Sequence, residues 1–503
     1  MASRISDPEQ PKISFSRISK QHVEEDNTRE PLVGRDRLKE TYSLSAAVLP
    51  FLFPALGGLL YGYDIGATSG ATISLESASL SGTTWFNLNS LEIGLVVSGS
   101  LYGALFGSAL AFAVADYIGR RRELIFSSAV YFFGSLLTAL APNFPVMVIG
   151  RLLFGMGIGL AMHSAPMYIA ETSPSQIRGT LISLKEFFIV IGMLFGYVVG
   201  SLCVDFVAGW RYMYATASPI CLVMGAGMWW LPPSPRWLLL CTVQGKNNIS
   251  YVREIAISCL CRLRGQAIHD AASEEIDCIL HELSHDHQGR QATIAEIFRG
   301  KYLKALIIGV GLLFFQQITG QPSVLYYAAT ILQSAGFSAA SDATRVSVLL
   351  GVLKLASTGV AVLVVDRLGR RPLLIGGVSG IAFSLFLLSF YYTIFKDLPV
   401  AAVIALLLYV GCYQLSFGPI GWLMISEIFP LQIRGRGLSI AVLINFSTNA
   451  LVAFAFSPLQ ELVGTGILFA GFGITALISL VFIFFFVPET KGLTLEEIES
   501  KIL

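Results

Sequence analysis

Apolar residues gather in twelve runs, near positions 45–70, 92–115, 123–142, 145–170, 180–203, 211–231, 303–333, 345–365, 373–395, 400–426, 437–458 and 465–487. A run of about 20 apolar residues crosses the ~30 Å hydrocarbon core of a bilayer. Lipid offers no partner to a free backbone N–H or C=O, so each run is predicted to be a helix. Polar residues fill the two ends and one long internal stretch. The predicted organisation is therefore a disordered cytosolic tail over 1–44, six helices over 45–231, a linker over 232–301, six helices over 302–487 and a short cytosolic tail over 488–503. Inside the linker, the patterns at 255–260 and 274–280 predict short amphipathic helices lying on the cytosolic face.

Composition supports the same class. The 503 residues are 54% hydrophobic and only 13% charged, about half the ~25% charge of a soluble domain. The bases follow the spans unevenly. Arg120, Arg121 and Arg122 follow span two, Arg178 span four, Arg367, Arg370 and Arg371 span eight, and Arg434 and Arg436 span ten. Residues 72–91 hold no Lys or Arg, so both termini are expected in the cytosol. The first 44 residues mix acids and bases and lack the apolar core of a secretory signal. Their Glu30-Pro31-Leu32 vaguely resembles an acidic-leucine sorting signal. A net charge of +1 gives no reason to expect a nucleic-acid partner. The seven cysteines show no zinc spacing or disulfide framework and are read as free thiols. No Gly-rich phosphate loop or nucleophile elbow occurs, so neither a metal, a cofactor, ATP drive nor an enzymatic activity is expected.

The two halves repeat. Asp116-Tyr-Ile-Gly119-Arg120-Arg121 recurs as Asp366-Arg-Leu-Gly369-Arg370-Arg371. Glu171-Thr-Ser-Pro174-Ser-Gln-Ile-Arg178-Gly179 recurs as Glu427-Ile-Phe-Pro430-Leu-Gln-Ile-Arg434-Gly435, again about 250 residues later. A two-fold repeat of six helices is the architecture of carriers that rock one half against the other. With Gly62-Tyr63-Asp64, Gly150-Arg151, Pro235-Arg236-Trp237-Leu238, Gln316-Gln317, Gly418-Pro419, Trp422 and Pro488-Glu489-Thr490-Lys491-Gly492 in this order, the chain resembles the sugar porter family of the major facilitator superfamily. The resemblance covers about 45–495 and leans toward plant vacuolar glucose and xylose-proton symporter-like members. It implies an all-α membrane protein of twelve transmembrane helices in two six-helix bundles with a cytosolic helical linker. It also implies a gating network between the halves, made by Asp116, Arg120, Glu171, Arg178, Asp366, Arg370, Glu427 and Arg434.

Asp64 is the sharpest single residue. A carboxylate deep in an apolar span costs about 3 kcal/mol to insert and is a functional candidate by default. Arg151 in span four is its expected partner, as in proton-coupled members of the family. Loading a proton on Asp64 would free Arg151. Sugar hydroxyls call for planar amides beside aromatic faces, and Gln316, Gln317, Tyr326, Trp422 and Asn445 supply them. Adjacent Gln316 and Gln317 point to different helix faces, so at most one is expected to face the cavity directly. The chain departs from the family at Glu186, preceded by Lys185, and at Lys354, where the family has neutral amides; it also has Pro233 where the family has Glu. An ion pair between Glu186 and Lys354 across the cavity, in at least one state, is the expected consequence, because pairing offsets part of the desolvation cost. His163 is read as a packing histidine, and Gly155-Met-Gly157-Ile-Gly159 as a close helix contact.

These readings converge on a monomeric, proton-coupled monosaccharide carrier of glucose or xylose, vacuolar in preference to plasma or plastid membrane. An uncoupled facilitator, a disaccharide carrier and a non-transporting sugar receptor are the alternatives.

Overall fold

The computed structural model describes residues 44–173, 178–243, 249–264, 269–286, 298, 302–337, 339–394, 398–429 and 434–491, which form helices and turns with no strand among them. Expectations for residues 1–43, including Glu30-Pro31-Leu32, and for residues 492–503 lie outside the described residues. The side chains of Asp116, Arg178, Asp366 and Arg434 do as well.

The first half contains α1 (Leu44–Glu76), α2 (Ser90–Ile118), α3 (Arg120–Ala139), α4 (Phe144–Thr172) and α5 (Arg178–Cys203). Its sixth span breaks at Thr216 into α6 (Gly209–Ala215) and α7 (Ala217–Trp230). Three helices follow: α8 (Pro235–Val243), α9 (Ile249–Arg264) and α10 (His269–Asp286). The second half begins with a span in three pieces, α11 (Tyr302–Ile318), α12 (Gln321–Tyr326) and α13 (Ala328–Ser334). It continues with α14 (Ala340–Leu368), α15 (Arg370–Thr393), a span broken at Ser416 into α16 (Pro399–Leu415) and α17 (Phe417–Ile428), then α18 (Arg434–Val463) and α19 (Thr465–Phe486).

Among the described residues, nine helical stretches are long and apolar enough to cross a membrane by themselves. The other three spans are diluted. Span one carries Pro50, Pro54 and Asp64, span three opens on three arginines, and span six is split. The breaks in spans seven and ten come from local chemistry. Gly320 adopts φ +92° and Pro322 has no N–H to continue the ladder, so α12 starts afresh. Such breaks are tolerated at membrane depth where the backbone is buried in protein or lines a cavity.

Within the first half α1 packs on α5, and α2 and α3 pack on α4; within the second, α15 packs on α16 and α19, and α11 on α18. The halves meet where α2 faces α18 and α5 faces α14. One face of the molecule carries the arginine-rich turns and is called the basic face below. Gly119 (φ +84°) and Gly369 (φ +96°) make those turns, a conformation that favours glycine. Their surroundings differ. The Trp237 indole lies over Gly119, whereas the Glu489 carboxylate lies over Gly369 and accepts the backbone N–H groups of Arg370 and Arg371, both at 3.1 Å. Burial pushes the Glu489 carboxyl up, but N–H donors from Lys491, Arg370, Arg371 and Thr490 outweigh this and hold it below its ordinary range. This carboxylate serves the N-terminus of α15.

The linker patterns do form helices. Leu239, Ala256, Ile257, Leu260, Ala272 and Ile276 make a small core shared by α8, α9 and α10. Arg253 clamps it from outside by forking onto Asp277, with both bonds at 2.7 Å.

Candidate transport site

Asp64 on α1 is 2% exposed and Arg151 on α4 is 1% exposed. They form a direct ion pair through Arg151 Nη1 and Asp64 Oδ1, with Nη2 at 3.2 Å from Oδ2. Ser100 Oγ on α2 donates to Asp64 Oδ2 at 2.7 Å and accepts from Arg151 Nη2 at 3.0 Å. Arg151 Nε donates to the Val96 carbonyl at 2.9 Å, and the Tyr214 ring lies 5.1 Å from the guanidinium. Gly155 makes this possible. A Cβ there would fall 2.0 Å from the Ser100 carbonyl oxygen, so only glycine lets α2 approach α4 this closely. A cavity of about 10 Å³, lined by Tyr63, Ser135 and Thr138 among others, adjoins the pair. That is about the room of a single water.

The amides gather nearby. Gln316 Nε2 donates to the Phe417 carbonyl at the start of α17, at 2.7 Å. Gln317 Nε2 donates to Asn445 Oδ1 on α18, at 2.8 Å. As their adjacency implies, the two glutamines reach different helices. Their Oε1 atoms, and Asn449 Oδ1, are buried and accept no hydrogen bond. A buried acceptor without a donor costs about 1–3 kcal/mol, so this cluster asks for donors, and hydroxyl groups are donors. Asn449 Nδ2 points at the Tyr61 hydroxyl over 3.5 Å, and Phe446 meets the Tyr61 ring edge-on. Tyr326 on α12 buries its hydroxyl without a hydrogen-bond partner, within electrostatic reach of Tyr61, Asp64 and Arg151. Trp422 is half-buried on α17 and packs against the same core.

Ser100, Tyr61 and Asn449 were not singled out from the sequence. Asn449 carried a readable signal, since it lies one helical turn from Asn445 on α18. Ser100 carried none, because a serine in a run of serines and glycines is indistinguishable from packing.

The charged departures take a local pairing in this conformation. Glu186 Oε1 lies 3.2 Å from Lys185 Nζ, so in this conformation it pairs with its neighbour and not with Lys354. The neighbour needs no approach of the two halves. Glu186 is within electrostatic reach of Lys354, Tyr61 and Tyr413, which puts it between the halves. Lys354 is 8% exposed and has no ion-pair partner within 4.0 Å among the described residues. His163 Nδ1 lies 3.4 Å from Glu123 Oε1 on α3, a buried acid the sequence reading passed over.

Two members of the gating set pair within each half. Arg120 Nε is 3.3 Å from Glu171 Oε1, and Arg370 Nη2 is 3.1 Å from Glu427 Oε1. Ser234 Oγ also donates to Glu171. Toward the opposite face, contacts cross between the halves: the Ala329 N–H donates to Ser69 Oγ at 3.0 Å, and the Tyr197 hydroxyl to the Leu325 carbonyl at 2.7 Å.

Comparison with known proteins agrees with this geometry. A family described as "Sugar (and other) transporter" matches residues 51–502. The Arabidopsis thaliana protein named D-xylose-proton symporter-like 2 is 66% identical over 500 residues, covering 99% of each chain. The chloroplastic D-xylose-proton symporter-like 3 of the same plant is 63% identical over 92% of this chain and 84% of its own. Among solved structures, a partially occluded inward-open conformation of the xylose transporter XylE from E. coli superposes with a TM-score of 0.75. It is 30% identical, covering 90% of this chain and all of that one. The repeated halves, the buried Asp64–Arg151 pair and the amide cluster therefore belong to an integral, multi-pass membrane protein, and the chain is a member of the sugar transporter family with the two-bundle major facilitator fold.

Proposed function

We propose that the chain carries a monosaccharide of the xylose or glucose type together with a proton, by exposing one central site to each face in turn. The observation that carries the reading is the link between the two clusters. Asp64 and Arg151 hold a charge pair with Ser100, and Tyr61, which faces Asn449 Nδ2 at 3.5 Å, lies within electrostatic reach of both Asp64 and Tyr326. Protonation of Asp64 removes its attraction for Arg151 and frees Ser100 Oγ from the carboxylate, and Tyr326 feels both changes. Hydroxyl groups of the sugar supply the donors that the three amide oxygens want, while Tyr61, Trp422 and Phe446 offer faces to the ring. Trp422, Glu186 and Lys354 are assigned to the wall of this central site. The relatives' names, with their xylose and proton, support the same pairing of substrates.

The conformation fits one stage of that cycle. Contacts between α1 and α13 and between α5 and α12 close the opposite face. We read this as a site open toward the basic face. Asp116, Arg178, Asp366 and Arg434 would complete the network between the halves when that face closes. The basic face and both termini belong in the cytosol by charge bias, with residues 45–231 and 302–487 as the bundles and 232–301 as the linker on the cytosolic side. The vacuolar membrane is the favoured location, and the monomer is the working unit.

Purified protein in liposomes loaded with a pH-sensitive dye tests the reading. Xylose, glucose and sucrose are added in turn with no imposed gradient, and internal pH is followed beside labelled-sugar entry. A sugar-dependent pH change that disappears in Asp64→Asn is the expected result. Sugar entry without any pH change would overturn coupling and leave a facilitator.

A further inference from the structure

A second site lies away from the transport path. On the basic face, a cavity of about 310 Å³ opens between the end of α7, the start of α3 and the linker helix α9. Two arginines line it, Arg121 and Arg262, with Trp229, Trp230, Pro233 and Cys259 among the remaining walls, and no lining residue is acidic. Both guanidiniums lie within electrostatic reach of Cys259 and Tyr168, so their charges overlap in one corner. Each is anchored to the end of α7. Arg121 donates from Nε and Nη2 to the carbonyls of Met228 and Trp229, and Arg262 donates from Nη2 to the Trp230 carbonyl at 3.0 Å. Arg121 Nη1 and Arg262 Nε and Nη1 keep their remaining N–H groups free of protein acceptors among the described residues.

The internal repeat says what this corner lacks. In the second half, the residue three positions beyond the end of α19 is Glu489, and its carboxylate accepts the backbone N–H groups of Arg370 and Arg371. Three positions beyond the end of α7 stands Pro233. The first half therefore holds no carboxylate at this position, and the Arg121 side chain turns to carbonyls at the end of α7 as Arg371 turns to the Phe484 carbonyl at the end of α19. Trp229 and Trp230 flank the opening at 71% and 58% exposed. Exposed indoles at the end of a membrane span sit at headgroup depth.

We propose that this corner binds a phosphate group, carried by an anionic phospholipid of the leaflet on the basic face. Guanidinium forks match phosphate oxygens in pairs. The two indoles would pack along the glycerol and upper acyl carbons. Occupancy would tie α9 to the end of span six, and so tie the linker to the first bundle. This goes beyond the transport reading and does not depend on it.

The test uses the full chain in neutral detergent. Thermal unfolding is followed against dioctanoyl phosphatidic acid, dioctanoyl phosphatidylcholine and glycerol 3-phosphate. Phosphatidic acid should raise the transition saturably and phosphatidylcholine should not. In Arg262→Gln the midpoint of that titration should move up about fivefold, the loss of one basic residue's contribution to binding an anionic headgroup. Pro233→Glu should place a carboxylate beside the two arginines and abolish the response to phosphatidic acid. An equal response to glycerol 3-phosphate, also weakened in Arg262→Gln, would uphold the phosphate site and assign it a soluble ligand. No response to either compound, or a response unchanged in both variants, would overturn the site.

Discussion

The Asp64–Arg151 pair can be tested by stability as well as by transport. Both side chains are essentially out of water and bonded to each other and to Ser100. Two unit charges about 3 Å apart attract by about 5 kcal/mol at the effective dielectric of 20 that suits protein sites. Most of that offsets the cost of desolvating them, so the intact pair adds little net stability. Breaking it is a different matter. Asp64→Asn leaves a buried guanidinium uncompensated and Arg151→Gln leaves a buried carboxylate, and each loss costs about 3–5 kcal/mol. The double variant Asp64→Asn/Arg151→Gln removes both charges while keeping polar groups of similar size. It should be more stable than either single variant and lie within about 2 kcal/mol of the parent. Unfolding in titrations with sodium dodecyl sulfate gives the four midpoints of this cycle. Sugar-driven proton movement should be absent in all three variants, including the stable one. The reasoning fails if the two single losses simply add in the double variant, because then the charges do not depend on each other. It fails equally if Asp64→Asn alone unfolds with the parent.

Three further outcomes follow from the geometry. Gln317→Ala removes a sugar-facing oxygen and orphans Asn445 Oδ1, so sugar affinity should fall about tenfold; isothermal titration with xylose reads this, and unchanged affinity would remove Gln317 from the site. Lys354→Asn deletes a buried ammonium that lacks an ion-pair partner, and should stabilise the protein by about 1–3 kcal/mol in the same detergent titration; a loss of stability would reveal a partner in this state. Glu489 has its folded pKa depressed, so its stabilising effect is present above the unfolded value near 4.5 and is lost as pH falls through the folded value. The difference in thermal midpoint between the parent and Glu489→Gln should therefore be constant above about pH 5 and shrink as pH falls below about 4.5, and a difference that grows with falling pH would contradict the role.

Much of this protein was legible before any coordinates. Lipid forbids unpaired backbone groups, so the apolar runs had to be helices, and the repeated Asp-Gly-Arg and Glu-Arg motifs announced two equivalent halves. Asp64 stood out because a carboxylate in an apolar run is expensive, and its expense pointed to an arginine. Gln316, Gln317 and Asn445 were equally visible, since amides in such runs need partners. What the chain could not disclose were partners separated by many residues and chosen by helix rotation. Whether Gln317 reaches α18 or α14 depends on the angle at which α11 crosses its neighbours. Ser100 matters only because Gly155 lets α2 settle against α4. Glu186 took Lys185 because that contact needs no closure of the halves, and a sequence does not say which stage of a rocking cycle is populated. The mismatch between Glu489 and Pro233 was printed in the chain from the start. Only the packing of α9 against the end of α7 turned it into a cavity with two arginines and no acid, because local sequence sets which residues are charged and tertiary packing sets which charges go unanswered.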